Sequence, residues 1–220
     1  MRTLRESAVV EVLARIEAAG AREDGAGKAR VRAREAQLGR KVYGRERAEL
    51  YGTAPIAVAR EVGELLHVLV VATGARSVVE FGASVGFSTI HLAAGLRDLG
   101  GDGRLVTTEL DAAKVALARD HLTASGLADL VDLRAGDALQ TLADDPAAVD
   151  LLFLDGWNDR YLDVLRLAEP RLRRGALVVA DLSRDDPACE AYAAHVLDPA
   201  SGFTSVRLDV DEGVVLSTRG

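Results

Sequence analysis

The segment Ser77-Val78-Val79-Glu80-Phe81-Gly82-Ala83-Ser84-Val85-Gly86-Phe87-Ser88-Thr89 constrains the fold more than any other stretch of the chain. It reads as a short apolar strand with an acid near its end, a glycine turn and a helix start. That arrangement places a ligand at a strand end and a helix N-terminus, as open α/β sheets do. Gly82 and Gly86 permit turn conformations and close backbone approach that other residues resist. A second acid, Glu109, ends the next predicted strand, Leu105-Val106-Thr107-Thr108. A carboxylate there is placed to accept hydrogen bonds from both hydroxyls of a ribose.

From residue 77 onward, predicted strands and helices alternate, which argues for a mostly parallel sheet. Strands are expected near 78–81, 105–108, 131–133, 151–154 and 177–180, with helices near 87–97, 112–125, 139–142 and 160–171. A short helix over 188–196 then precedes strands 203–208 and 214–217. These flank Asp209-Val210-Asp211-Glu212-Gly213 and read as a closing antiparallel hairpin. The expected fold is a Rossmann-like α/β domain over 56–220 with a helical extension over 1–55, acting as a lid or a dimerisation arm. Within the extension, Leu4, Ala8, Val12, Ile16 and Ala19 recur at helical spacing. A loop is expected at 20–27, rich in glycine and charge, and a second, Arg-rich helix at 29–41. Pro55 suits the first turn of a helix over 56–72, whose apolar stripe includes Val58, Val62, Leu66 and Val70. His67 on that helix reads as a packed or interface histidine.

Three readings compete for the glycine turn. A dinucleotide fold asks for G-x-G-x-x-G, whereas this turn is G-x-x-x-G with Ser84 at the position of the middle glycine. Gly82-Ala83-Ser84-Val85-Gly86 also matches the G-x-S-x-G nucleophile elbow, which would make Ser84 a nucleophile served by a later Asp and His195. No HGGG-type oxyanion segment lies upstream. In the third reading the ligand is S-adenosylmethionine, which carries no phosphates, so its loop need only be close and uncharged. Carboxylates such as Glu80 and Glu109 suit its amino group and ribose.

Composition narrows the partners. A net charge of −7 argues against nucleic acid, and no apolar run approaches the roughly 20 residues that span a bilayer. The N-terminal residues lack a signal-peptide core, and the cytoplasm is the expected location. A single cysteine, Cys189, excludes an intramolecular disulfide and a Cys-rich metal site, and reads as a small semi-buried residue.

From about residue 56 to the C-terminus the chain resembles the small catechol and caffeoyl-CoA type O-methyltransferases. Val79-Glu80-Phe81-Gly82-Ala83-Ser84-Val85-Gly86-Phe87-Ser88 is similar to that family's first cofactor motif, and Thr108-Glu109-Leu110-Asp111 to its ribose motif. Gly136-Asp137-Ala138 sits where the family contacts adenine. Asp155-Gly156-Trp157-Asn158-Asp159-Arg160-Tyr161-Leu162 resembles the catechol enzymes' Asp-His-Trp-Lys-Asp-Arg-Tyr-Leu, and the segment ending at Ala180-Asp181 precedes a family asparagine. The order and spacing of these segments carry the resemblance.

The resemblance implies an S-adenosylmethionine-binding site formed by Val58, Glu80, Gly82, Ala83, Ser84, Gly86, Ser88, Glu109, Leu110, Asp137, Ala138, Asp155 and Trp157. Within it Glu80 faces the methionine amino group, Ser88 the carboxylate and Trp157 the adenine. It implies catalytic positions at Asp155, Asn158 and Asp181. It makes Asp155 and Asp181 the carboxylate ligands of a magnesium ion, a hard cation that suits such oxygens. Read without the resemblance, both aspartates serve equally as caps. Three positions depart from the family pattern: Asn158 for its lysine, Leu182 for its third metal ligand and Gly156 for its histidine. Asparagine takes no proton and leucine binds no cation. Asp155, Asp159 and Tyr161 remain as proton acceptors. The function expected is methyl transfer to a small hydroxylated aromatic, with Tyr43 and Tyr51 lining its site and a homodimer as an assembly. The alternative is a protein that binds the cofactor without metal-assisted catalysis, in a regulatory or partner role.

Overall fold

The computed structural model describes residues 2–52, 54–145, 147–184 and 186–220. Its centre is a seven-stranded sheet in the order β3-β2-β1-β4-β5-β7-β6, made of β1 (Ser77–Phe81), β2 (Arg104–Glu109), β3 (Val131–Ala135), β4 (Val149–Leu154), β5 (Leu172–Asp181), β6 (Phe203–Leu208) and β7 (Val214–Arg219). β1 to β5 pair in parallel, and β7 runs antiparallel between β5 and β6. The expected closing hairpin is thus present, with β7 inserted beside β5. The strand order reverses between β1 and β4, and ligands of open α/β sheets bind outside the carboxyl ends at such a point.

Two apolar layers cover the sheet. On one face α3 (Arg60–Thr73), α4 (Phe87–Asp98) and the first half of α1 (Ser7–Leu38) bury Val9, Leu13, Ile16, Val62, Leu66 and Ile90. On the other, α6 (Ala138–Thr141), α7 (Tyr161–Ala168) and α8 (Pro187–Leu197) pack Leu142, Val164, Leu165, Tyr192 and Val196 against the strands, while α5 (Ala112–Ala124) adds Leu122 to the first layer. The start of α1 therefore belongs to the core, although it precedes the sheet in sequence. No helix among the described residues is long and apolar enough to cross a membrane.

Two expectations for the N-terminal region are corrected. Residues 20–27 form no loop: α1 continues through them for 32 residues and stops at Gly39, which is left-handed (φ 66°) and donates its N–H to Glu35. Glycine costs a helix about 1 kcal/mol against alanine, but a packing contact holds this one together. A Cβ on Gly27 would overlap the ring of Tyr51, which lies at the end of α2 (Gly44–Tyr51). α3 likewise begins at Arg60 rather than at 56. The preceding residues 56–59 stay out of the helix and line the cleft described below.

His67 is fully buried and its Nε2 lies 3.1 Å from Asp98. The same carboxylate accepts from the N–H groups of Arg2 and Thr3 and from the Thr3 hydroxyl. These donors hold the Asp98 carboxyl well below its usual range against the opposing effect of burial. Asp98 thus pins the N-terminus to α3 and α4. Asp98→Ala is expected to strip several donors of their acceptor at once and to cost on the order of 2–3 kcal/mol, read as a lower midpoint in urea unfolding.

Candidate functional site

The glycine turn after β1 is held from below by Glu80. Its side chain is 0% exposed, and three hydroxyls donate to it: Ser88 at 2.6 Å, Thr89 at 2.6 Å and Thr107 at 2.5 Å. Burial still pushes the Glu80 carboxyl upward. The structure therefore places Glu80 and Ser88 beneath the site floor, where the Ser88 hydroxyl is spent on Glu80. Ala83 is buried as well, and its N–H donates to the Thr108 carbonyl at 2.9 Å. Gly86 is left-handed (φ 93°) and caps α4. None of these four lines the slot or the cleft described below. Gly82, by contrast, lines both clefts, and its missing side chain answers to protein packing: a Cβ there would lie 2.6 Å from the Asp155 carbonyl. Gly156 meets the same close approach from the other side, with the Phe81 ring 2.5 Å from where its Cβ would be.

Glu109 ends β2 and faces the turn. Its Oε2 accepts from the Ser84 N–H at 2.8 Å and its Oε1 from the Asp111 N–H at 2.9 Å. Ser84 makes this contact from a left-handed backbone (φ 47°), a conformation that costs a non-glycine residue about 1 kcal/mol or more. The Ser84 hydroxyl is buried without a hydrogen-bond partner among the described residues, so no histidine activates it. His91 and His121 bond the carbonyls of Phe87 and Val85 instead. The nucleophile-elbow reading lacks its base.

Two connected hollows open at the strand ends. A narrow slot is lined by Phe81, Glu109, Leu110, Asp137, Ala138 and Trp157. Asp137 caps α6 through one oxygen, which accepts from the Leu139 N–H at 2.9 Å. Arg45 of α2 lies 5.3 Å over the Trp157 ring and ties the helical cover to this wall. Beside the slot is a cleft of about 680 Å³, into which Val58, Ser84, Asp155, Asn158, Asp181 and Leu182 face. Its roof is α1 together with Gly44, Arg47, Ala48 and Tyr51, one face of α2 at helical spacing. Tyr51 lines the cleft as expected, whereas Tyr43 caps α2 and does not. Sequence reading missed Arg47 and Ala48, for which the i, i+3, i+4, i+7 spacing of the α2 face was the available signal.

Asp155 and Asp181 stand at the ends of β4 and β5. Burial and the neighbouring charge of Asp181 raise the Asp155 carboxyl well above its usual value, and burial with Asp211 raises Asp181 to about 7. One Asp181 oxygen is buried with no hydrogen-bond partner among the described residues. The other proton acceptors considered are corrected by the geometry. The Tyr161 hydroxyl donates to the Asp181 carbonyl at 2.6 Å and burial pushes it further up, while Asp159 is exposed and lies outside the cleft. Asn158 turns its amide away to the Cys189 sulfur, 2.7 Å distant, and Cys189 is fully buried rather than semi-buried. The residues do not fit the magnesium site implied by the resemblance. Leu182 is 6% exposed, and no group of three or more His, Cys, Asp and Glu among the described residues lies close enough to hold a metal ion.

Residues 37–184 match the sequence family described as O-methyltransferase. The chain belongs to that family. Among relatives of this O-methyltransferase family member, the catechol O-methyltransferase of Mycobacterium tuberculosis is 40% identical over 129 residues, covering 57% of this chain and 56% of the relative. The chain thus spans little more than half the length of that relative. The crystal structure of the O-methyltransferase TomG from Streptomyces achromogenes, in complex with SAM, is similar with a TM-score of 0.65 and 30% identity, over 75% of this chain and 82% of that one. The O-methyltransferase from Bacillus cereus in complex with SAH is similar with a TM-score of 0.67 and 25% identity, over 76% and 84%.

The raised Asp181 carboxyl has a consequence for stability. Between about pH 4 and 7 the folded protein holds a proton that the unfolded chain has released, so stability falls as pH rises through that window and stays reduced above it. Asp181→Asn is expected to stabilise the family member by on the order of 2 kcal/mol at pH 8 and by little at pH 4, measured by urea unfolding at both pH values.

Proposed function

We propose that the protein is an S-adenosylmethionine-dependent O-methyltransferase acting on a small hydroxylated aromatic. The observation that carries this reading is the convergence of Glu109, the Trp157 slot and the aspartate pair on one cleft at the point where the strand order reverses. In this reading the two ribose hydroxyls donate to Glu109, whose oxygens are already aimed by the Ser84 and Asp111 N–H groups. Adenine enters the slot between Leu110, Ala138 and Trp157, where a flat indole buries area against a base. The second Asp137 oxygen is left to accept from the adenine amine.

The sulfonium methyl is electrophilic without further activation, so the protein's work is in-line positioning. The acceptor hydroxyl lies on the unpartnered Asp181 oxygen, the one buried carboxylate oxygen without a hydrogen-bond partner among the described residues. Asp181 takes the phenolic proton as the oxygen–methyl bond forms and the sulfur–methyl bond breaks. Val58, Tyr51 and the α1 roof exclude water from the transfer.

Calorimetric titration of S-adenosylmethionine tests the reading. Micromolar binding is expected, weakened about 10- to 100-fold by Glu109→Gln through loss of ribose contacts and by Trp157→Ala through loss of stacking. Absence of binding to the folded wild-type protein would sink it.

A further inference from the structure

The corner of the cleft beyond the two aspartates is built as core. Three consecutive residues are fixed there from three directions: the Asp181 carbonyl accepts from Tyr161 at 2.6 Å, the Leu182 N–H donates to the Gly213 carbonyl at 2.9 Å, and the Ser183 N–H donates to the Cys189 sulfur at 3.2 Å. The same sulfur receives the Asn158 amide. Leu182 joins the buried cluster of Tyr161, Cys189 and Tyr192 while still presenting apolar surface to the cleft. Leu182 sets a hydrocarbon side chain at the position where the resemblance places the third oxygen ligand, and these bonds hold its backbone in place. Magnesium demands a near-ideal octahedral set of oxygens, and the Leu182 side chain contributes none.

We infer that this corner is closed to a divalent cation, and that the acceptor is held through one hydroxyl on Asp181 with no requirement for a vicinal pair. The cation part stands on the residues alone; the acceptor part rests on the methyltransferase reading. A metal rewards two adjacent oxygens by chelation. A single carboxylate oxygen rewards one O–H donor. The acceptor class therefore extends from catechols to monohydroxylated aromatics of comparable acidity.

Manganese(II) binding to the wild-type protein, followed by the loss of the free-ion EPR signal, tests the first part with S-adenosylhomocysteine absent and present. The free signal is expected to track added metal up to about 1 mM, with no stoichiometric uptake. Uptake at tens of micromolar, abolished by Asp155→Asn, would overturn the inference. Leu182→Asn, checked for folding by circular dichroism, is expected to bind manganese at least about tenfold more tightly than wild type. An unchanged affinity in the folded variant would overturn the role given to Leu182. For the second part, phenol and catechol are titrated into protein saturated with S-adenosylhomocysteine, in EDTA and in magnesium. Affinities within about threefold of each other, unaltered by magnesium, are expected. Catechol binding more than about tenfold tighter in magnesium alone would overturn it. Failure of S-adenosylhomocysteine to bind would remove the methyltransferase reading and the acceptor part with it, while the manganese result on the free protein would still decide the cation part.

Discussion

The buried Glu80 carboxylate is the interaction on which the site's geometry depends. It sits on β1 and takes hydroxyl donors from α4 through Ser88 and Thr89 and from β2 through Thr107. A carboxylate without water is costly unless its oxygens are satisfied. Here the donors satisfy both oxygens, and in doing so they lock two strands and a helix start into one relative position. The glycine turn lies directly above this lock. Its backbone cannot drift without breaking a short, buried bond whose replacement by water is impossible.

Glu109 repeats the device at the next strand end, where it lines the slot and the cleft. It draws the Ser84 N–H into line from a left-handed backbone, and the cost of that conformation is offset by the bond it makes. The two acids therefore divide the labour. Glu80 holds the protein to itself, and Glu109 presents held oxygens outward. They follow one another on adjacent strands and look alike in sequence, yet burial separates their roles completely.

That separation explains what was legible in the sequence. The alternation after residue 77, the closing hairpin and the cleft-lining positions of Glu109, Asp137 and Asp155 follow from hydrophobic patterning and from acids near strand ends, which are local signals. Glu80 shows the limit: nothing local states that Thr107, distant in the chain, will donate to it. Gly27 fails in the opposite sense, since a glycine-rich polar stretch reads as a loop until Tyr51 arrives across space to pack on it. The residues before Arg60 carry helical periodicity but are held open over the cleft. In each instance a tertiary contact overrode a local preference.

The aspartate pair carries the remaining tension in the structure. Two carboxylates with raised affinity for protons, one bearing an oxygen without a partner, are a liability in a folded domain. A cation would relieve it. Yet the positions where a third donor and a lysine would stand are occupied by Leu182, committed to the core, and by Asn158, committed to Cys189. Those substitutions form one packed unit with Tyr161 and Ser183, so they belong to the architecture of the corner. In the reading proposed above, the retained carboxylates have a use in the cleft: the Asp181 oxygen without a partner among the described residues accepts from the acceptor hydroxyl beside the methyl donor, and the strain is relieved when that hydroxyl arrives.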